Sequence, residues 1–207
     1  GKTTFIDAVT GFVRCQEGRV VLEGTDVSSW PARRRAAAGI SRSFQSLELF
    51  DGMTVQDNLR AASDRRDLMA YVTDLFHPGD PPLGAAAVAA VREFGLEGDL
   101  NRPPEALPYG RRRLVAIARA VALNPSILLL DEPAAGLDPQ ETAELGRLIR
   151  HLAADWGIGI LLVEHDVSLV LEVCDRVTVL QFGHKVAEGT PAEVRLRYTR
   201  HALPDLA

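Results

Sequence analysis

Short unbroken aliphatic runs alternate along this chain with stretches whose apolar positions recur at helical spacing. Ser126-Ile-Leu-Leu-Leu-Asp131 and Ile158-Gly-Ile-Leu-Leu-Val163 are too short for helices and show no polar alternation, so both are predicted as strands of a parallel sheet covered on both faces. Ile40 to Gln45 and Gly18 to Gly24 are predicted as two more strands, with Asp26 to Trp30 a turn after the second of these. Arg176 to Gln181 and Lys185 to Glu188 are predicted as strands joined at Phe182-Gly183-His184. Helices are predicted from Lys2 to Thr10-Gly11, from Pro31 at a first helical position, from Thr54, over residues 64–76, and over residues 84–95, where Gly95 is the C-cap. Further helices run from Gly110 to about Leu123, from Pro139 to about Trp156, from Val167 to about Cys174, and from Pro191. Strands alternating with helices predict an α/β domain with a mainly parallel sheet flanked by helices. Residues 50–124 break that alternation and read as a helical subdomain inserted into a single domain spanning residues 1–207.

Two boundaries carry strong local signals. Asp138-Pro139-Gln140-Glu141 places an N-cap carboxylate, a proline at the first position and a glutamate able to close a capping box. Asn124-Pro125 stops the preceding helix, because proline disfavours a helical residue before it.

Composition narrows the class. With 207 residues, 46% hydrophobic and 25% charged, the chain can bury a core unaided. A net charge of −5 offers no footprint for nucleic acid, and none is expected as a partner. The arginine runs Arg33–Arg35 and Arg111–Arg113 read as solvated faces. Cys15 and Cys174 lie far apart without a metal-ligand pattern and read as reduced core thiols of a cytoplasmic protein. No apolar run approaches the ~18 residues of a membrane span. The chain opens on Gly1-Lys2-Thr3-Thr4 with neither an initiator Met nor a signal-peptide pattern, so it is expected to be part of a longer one.

Candidate chemistry collects at predicted strand ends. Ligands of open α/β sheets bind outside the carboxyl ends of the strands, where Gln45, Asp131, Glu132 and His165 all fall. Gly1-Lys2-Thr3 at a helix start matches the end of the phosphate-binding pattern GxxxxGK[ST], in which the lysine reaches phosphate oxygens and the hydroxyl ligates Mg²⁺. Together these side chains form the set that nucleotide hydrolysis needs: a cation for phosphate charge, a carboxylate for the metal, another for water, and a polar group near the γ-phosphate. Singly, each has a plainer reading. A glutamine after a strand is usually a surface residue, and the capping box is sufficient reason for Asp138.

The order GKTT, Gln45, LPYGR, LLLDEPAAGLD and VEHD resembles the nucleotide-binding subunit of an ATP-binding cassette (ABC) transporter over essentially the whole chain. That resemblance implies a P-loop NTPase fold lacking its first strands, with ATP and Mg²⁺ as cofactors. By it, Gly1, Lys2, Thr3 and Thr4 end the Walker A loop; Asp131 is the Walker B carboxylate; and Thr3, Asp131 and the Q-loop Gln45 are ligands of Mg²⁺. Glu132 is implied as the catalytic base, Gln45 and His165 as the catalytic groups near the γ-phosphate, and Asp138 as the D-loop aspartate. The signature loop departs from the common LSGGQ: it reads Leu107-Pro108-Tyr109-Gly110-Arg111, so the serine hydroxyl is lost while Gly110 can still meet a nucleotide.

LPYG followed by basic residues, AAGLDPQET and VAEGTPAEV are similar to the ATPases of branched-chain amino-acid importers. The resemblance further implies a second ABC subunit, homo- or heterodimeric, and integral membrane permeases that hold the chain on the inner face of the cell membrane. Phe50 and its neighbours are then candidates for the permease contact or for subdomain packing. ATPases for urea, lipopolysaccharide or other substrates, non-transport ABC ATPases and a module that has lost hydrolysis are the alternatives. Without a complete phosphate-binding loop, these 207 residues alone are expected to bind ATP poorly.

Overall fold

A computed structural model describes residues 1–43, 47–63 and 82–201, the side chains of Ser63 and of residues 197–201 excepted. In chain order the elements are α1 (Lys2–Thr10), β1 (Val21–Leu22), β2 (Thr25–Asp26), α2 (Ala32–Ala37), β3 (Ile40–Ser43), α3 (Val55–Ser63), α4 (Ala85–Glu93) and α5 (Tyr109–Val121). They continue with β4 (Ile127–Asp131), α6 (Pro139–Ala154), β5 (Gly159–Val163), α7 (Val167–Val173), β6 (Val177–Gln181), β7 (His184–Gly189) and α8 (Pro191–His201). The expected helix over residues 64–76 and Gln45 at the end of its strand lie outside the described residues.

The central sheet is parallel, in the order β3-β4-β5, and two antiparallel hairpins, β1-β2 and β6-β7, complete the described strands. β4 pairs Leu128 with Ser41 on one side and with Ile160 on the other. Because successive side chains of a strand face opposite ways, β4 serves two cores. Leu129 packs with Ile6 of α1, Ile40 and Val163. Leu128 and Leu130 belong to a larger cluster with Val115 and Ile117 of α5 and Leu145 and Ile149 of α6. The result is three layers, with α1 on one face of the sheet and α5 and α6 on the other. By the same alternation Asp131 at the end of β4 and Arg42 in β3 fall on the α1 side. Ser41 falls on the other side, where its hydroxyl donates to Ala120 O at 2.9 Å.

Val55 and Leu59 of α3 and Ala90 and Val91 of α4 share the larger core with β4, so α5 joins the stretch expected as a helical subdomain to the sheet. Helix starts follow the sequence signals. Thr54 and Asp57 cap α3, the Asp57 N–H donating to Thr54 Oγ1 at 3.2 Å. Both bonds of the capping box at α6 are present, between Asp138 and Glu141.

Several expectations need correction. The strand expected over 18–24 is only Val21–Leu22, and Thr25–Asp26 is its hairpin partner, because the residues at 23 and 24 both turn the chain with positive φ; the turn expected over Asp26–Trp30 follows β2, the Trp30 N–H donating to Val27 O at 2.9 Å. Pro31 is the N-cap of α2, with ψ 157°, rather than its first helical residue. α5 starts one residue early, at Tyr109, and ends at Val121; Asn124 then takes φ 51° ahead of Pro125. Neither arginine run is a solvated face throughout. Arg35 is 1% exposed and donates to Ala8 O and Val9 O, carbonyls left without helical partners in the last turn of α1. Arg113 is equally covered, and Arg34 stacks on Trp30, its guanidinium carbon 3.8 Å from the ring centre. Both cysteines are free and half-buried rather than core residues, and burial, with Asp175 nearby, pushes the Cys174 thiol up. Among the described residues no helix is long and apolar enough to cross a membrane.

Candidate active site

The three parallel strands end side by side, and Asp131, Glu132 and His165 lie at or just beyond the ends of β4 and β5. Asp131, the last residue of β4, is 2% exposed. A carboxylate so covered needs a partner, and Arg42 supplies one: its Nη2 donates to Asp131 Oδ2 at 3.1 Å while its Nη1 donates to Asp7 Oδ1 of α1 at 2.5 Å. The guanidinium thereby ties the helix that starts at Lys2 to the acidic end of β4.

Glu132 leaves the strand with φ 46°, a left-handed conformation rare for a residue with a side chain. Its N–H donates to Val163 O at 2.8 Å, continuing the pairing of β4 with β5 for one more residue. Backbone strain of this kind at the end of a buried strand is a frequent mark of functional sites. His165 follows two residues after β5, exposed, with Nδ1 3.9 Å from Glu132 Oε1 and 3.7 Å from Glu164 Oε2. Asp131, Glu132 and His165 are thus brought to one edge, as expected from their strand-end positions.

Gly1 is the N-cap of α1 and Lys2, Thr3 and Thr4 open its first turn, with Lys2 half-covered and its neighbours exposed. Gly1 and Lys2 line an open recess with Leu180, Phe182 and Gly183 at the turn of the β6-β7 hairpin. α1 packs on β3 and β4, which carries its N-terminus to the same sheet.

The remaining candidates sit at a second cluster, between the starts of α5 and α6. Gly110 is buried, and a Cβ there would lie 2.2 Å from Glu141 Oε1, so a side chain at this position would displace the carboxylate that closes the capping box of α6. Tyr109 packs on Gly136, where a Cβ would approach the ring to 3.0 Å, and its hydroxyl accepts from Arg113 Nη2 at 2.7 Å. Arg113 Nη2 also donates to Ala135 O at 3.3 Å. The Pro-Tyr departure from the common signature thus has a structural correlate: the ring fastens the start of α5 to the loop between Glu132 and Asp138. Asp138 is exposed at this cluster with its Oδ1 engaged by the Glu141 N–H.

Phe50 is 49% exposed beside Met53, its ring 5.2 Å from the Arg119 guanidinium, and burial pulls the pKa of Arg119 down. Asn58, fully buried, holds the loop through Phe50 N–H and Phe50 O.

Oxygen donors suit a hard divalent ion such as Mg²⁺, and the Asp131 carboxylate and the Thr3 hydroxyl are donors of that kind. Among the described residues no group of three or more His, Cys, Asp or Glu could hold a metal by itself. Reading the sequence missed Arg42, Asp7, Glu164 and Arg113. The available signal was a charge inside a strand that is otherwise buried, as in Ile40-Ser-Arg-Ser43.

A parallel sheet with a Gly-Lys-Thr helix start and carboxylates at its strand ends defines a nucleotide-binding α/β protein. The ABC transporter family profile matches residues 1–135, and the chain belongs to that family. It is an ATP-binding, ATP-hydrolysing subunit of an ABC transporter. The high-affinity branched-chain amino acid transport ATP-binding protein BraF of Pseudomonas aeruginosa is 36% identical over 200 residues, covering 94% of this chain and 78% of BraF. The lipopolysaccharide export system ATP-binding protein LptB of Escherichia coli is 37% identical over 195 residues, covering 94% of this chain and 76% of LptB. Among solved structures, MJ1267, an ATP-binding cassette of an ABC transporter, superposes with a TM-score of 0.80 at 30% identity, covering 94% of this chain and 78% of that one.

Proposed function

We propose that this subunit powers import of branched-chain amino acids, hydrolysing ATP at the strand-end site described above. The observation that carries the substrate reading is the similarity to BraF, together with LivG of Escherichia coli, a high-affinity branched-chain amino acid transport ATP-binding protein 36% identical over 200 residues. LptB supports a second reading, lipopolysaccharide export, at similar identity.

In the proposed mechanism Lys2 neutralises phosphate charge, and the backbone N–H groups at the start of α1 receive phosphate oxygens. Thr3 and Asp131, with Gln45, would hold Mg²⁺, which when bound would neutralise phosphate charge. Glu132 accepts a proton from the attacking water, and His165 orients that water and the γ-phosphate. Gly110 and Asp138 serve a second ABC subunit across a dimer interface, and the Phe50 surface of the proposed helical subdomain, residues 50–124, docks on a permease. Through that permease the subunit sits on the cytoplasmic face of the membrane.

Reconstitution of the subunit with its permeases in vesicles tests this reading. ATP should drive uptake of leucine, isoleucine or valine, and Glu132→Gln should keep ATP bound while stopping uptake and turnover. Copurification with permeases that move lipopolysaccharide and no amino acid would overturn the substrate, and turnover surviving Glu132→Gln would overturn the assignment of the base.

A further inference from the structure

Glu164 stands between Val163, the last residue of β5, and His165, and its side chain has no solvent exposure. One carboxylate oxygen accepts the Ala134 N–H at 2.8 Å. The other accepts the His165 N–H at 3.0 Å and the Asp166 N–H at 3.4 Å. Ala134 lies two residues beyond Glu132, so this carboxylate spans the loop after β4 and the loop after β5.

A buried charge is costly unless hydrogen bonds receive it, and here, among the described residues, the bonds come from backbone N–H groups of two different loops. Their placement around Glu132 is specific. On the N-terminal side of Glu132, its own N–H is held by Val163 O at 2.8 Å. On the C-terminal side, the chain is held by Glu164 through Ala134. The left-handed conformation of Glu132, φ 46°, is therefore bracketed by two consecutive residues of the β5 end. The same carboxylate fixes the turn that presents His165, whose Nδ1 faces both Glu132 and Glu164 at 3.9 and 3.7 Å.

We propose that Glu164 is a positioning residue for ATP hydrolysis: it locks the Glu132 loop to the His165 turn so that the two side chains meet the γ-phosphate in one fixed arrangement. The inference rests on the reading of Glu132 and His165 as catalytic groups. Glu164 touches neither ATP nor water in this scheme; it acts through the backbone at 134 and 165.

The test is steady-state ATPase kinetics of the subunit in its assembled transporter, with turnover expressed per bound ATP so that unfolded protein does not count. Glu164→Ala frees both loops, and a displacement of about 1 Å at a reacting group can cost roughly 100-fold. The expected result is a kcat lowered ~10- to 100-fold with KM for ATP within ~3-fold of wild type. Glu164→Gln keeps an acceptor for Ala134 but turns an amide toward two N–H donors, so its kcat should fall less, by ~3- to 10-fold. In a Glu132→Gln background, Glu164→Ala should slow the residual rate no further, because the residue it positions is already disabled.

A wild-type kcat in Glu164→Ala, or an equal further loss in the Glu132→Gln background, would overturn the proposal. Should Glu164→Ala fail to assemble, Glu164→Gln decides: a wild-type kcat overturns the proposal and a lowered kcat at constant KM supports it. Turnover that survives in Glu132→Gln alone refutes the underlying catalytic reading instead, which keeps the two failures distinct.

Discussion

Arg42 Nη2 lies 3.1 Å from Asp131 Oδ2 where β3 and β4 end, with 9% and 2% of the two side chains exposed. The same guanidinium reaches Asp7, which is 29% exposed, so the pair is open on the α1 side and closed on the sheet side. Removing one member of a buried pair leaves the other charged and uncompensated, which typically costs about 3–5 kcal/mol. Arg42→Ala should therefore lower unfolding stability by roughly 3 kcal/mol, whereas Asp7→Asn, at the more exposed end, should cost less than about 1 kcal/mol. Urea unfolding of both variants checks the order; equal losses would show that the Asp131 contact adds nothing to stability beyond the Asp7 contact, since Arg42→Ala removes both.

His165 is exposed and approaches Glu132 without a close hydrogen bond, 3.9 Å separating Nδ1 from Oε1. Such a residue contributes little to the fold, so its replacement separates chemistry from stability. His165→Ala should leave the unfolding midpoint near wild type and lower kcat by about 100-fold or more. Denaturation and single-turnover ATP hydrolysis measured on the same preparation test this. A large fall in stability would mean that the imidazole is holding the loop rather than serving the reaction.

Gly136 carries φ 80°, and any Cβ there meets the Tyr109 ring at 3.0 Å. Gly136→Ala should cost roughly 1–2 kcal/mol from the left-handed backbone alone, with the ring adding to it. In a Tyr109→Ala background the ring is gone and only the backbone part should remain. A thermodynamic cycle over the four proteins measures the difference, and a Gly136→Ala cost that is the same in both backgrounds would rule out the contact.

Legibility in the sequence followed the range of the interactions. The boundary at Asp138 was readable because its cap, proline and glutamate lie within four consecutive residues, and both capping bonds form. The β4 and β5 runs were readable because burial on both faces demands unbroken aliphatics. Asp131, Glu132 and His165 could be assigned to one edge because strand ends define it. The pairing of Arg42 was not readable, even though a charge inside a buried strand marks the residue: its partners lie 35 and 89 positions away, and only the packing of α1 on β3 and the register of β3 against β4 bring them together. Gly110 was assigned to a nucleotide, yet within the chain it also makes room for the Glu141 carboxylate, 31 residues on, a contact that only packing reveals. The β1-β2 hairpin escaped because Thr25–Asp26 is exposed and polar, so no apolar pattern marks it as a strand.

Acid should weaken the α3 cap in a defined direction. Asp57 is held below the usual aspartate range, first by the Thr54 hydroxyl donating to its Oδ2, with the Thr54 N–H and Arg60 adding to the effect against the opposing cost of burial. Its folded pKa is therefore lower than its unfolded one, near ~3.9. For a group depressed by folding, the stability it contributes is fully present above the unfolded pKa and is lost as pH falls through the folded pKa. Asp57→Asn removes that titration. The wild type should be more stable than Asp57→Asn by a constant margin from neutral pH down to about pH 5, and the margin should shrink below about pH 4. Thr54→Ala removes the main cause of the shift as well as the N-cap, costing about 1 kcal/mol at neutral pH, and should shrink the pH-dependent part most. Urea midpoints of the three proteins between pH 3 and 7 carry the test; a margin that grew on acidification would mean that folding raises the Asp57 pKa rather than lowering it.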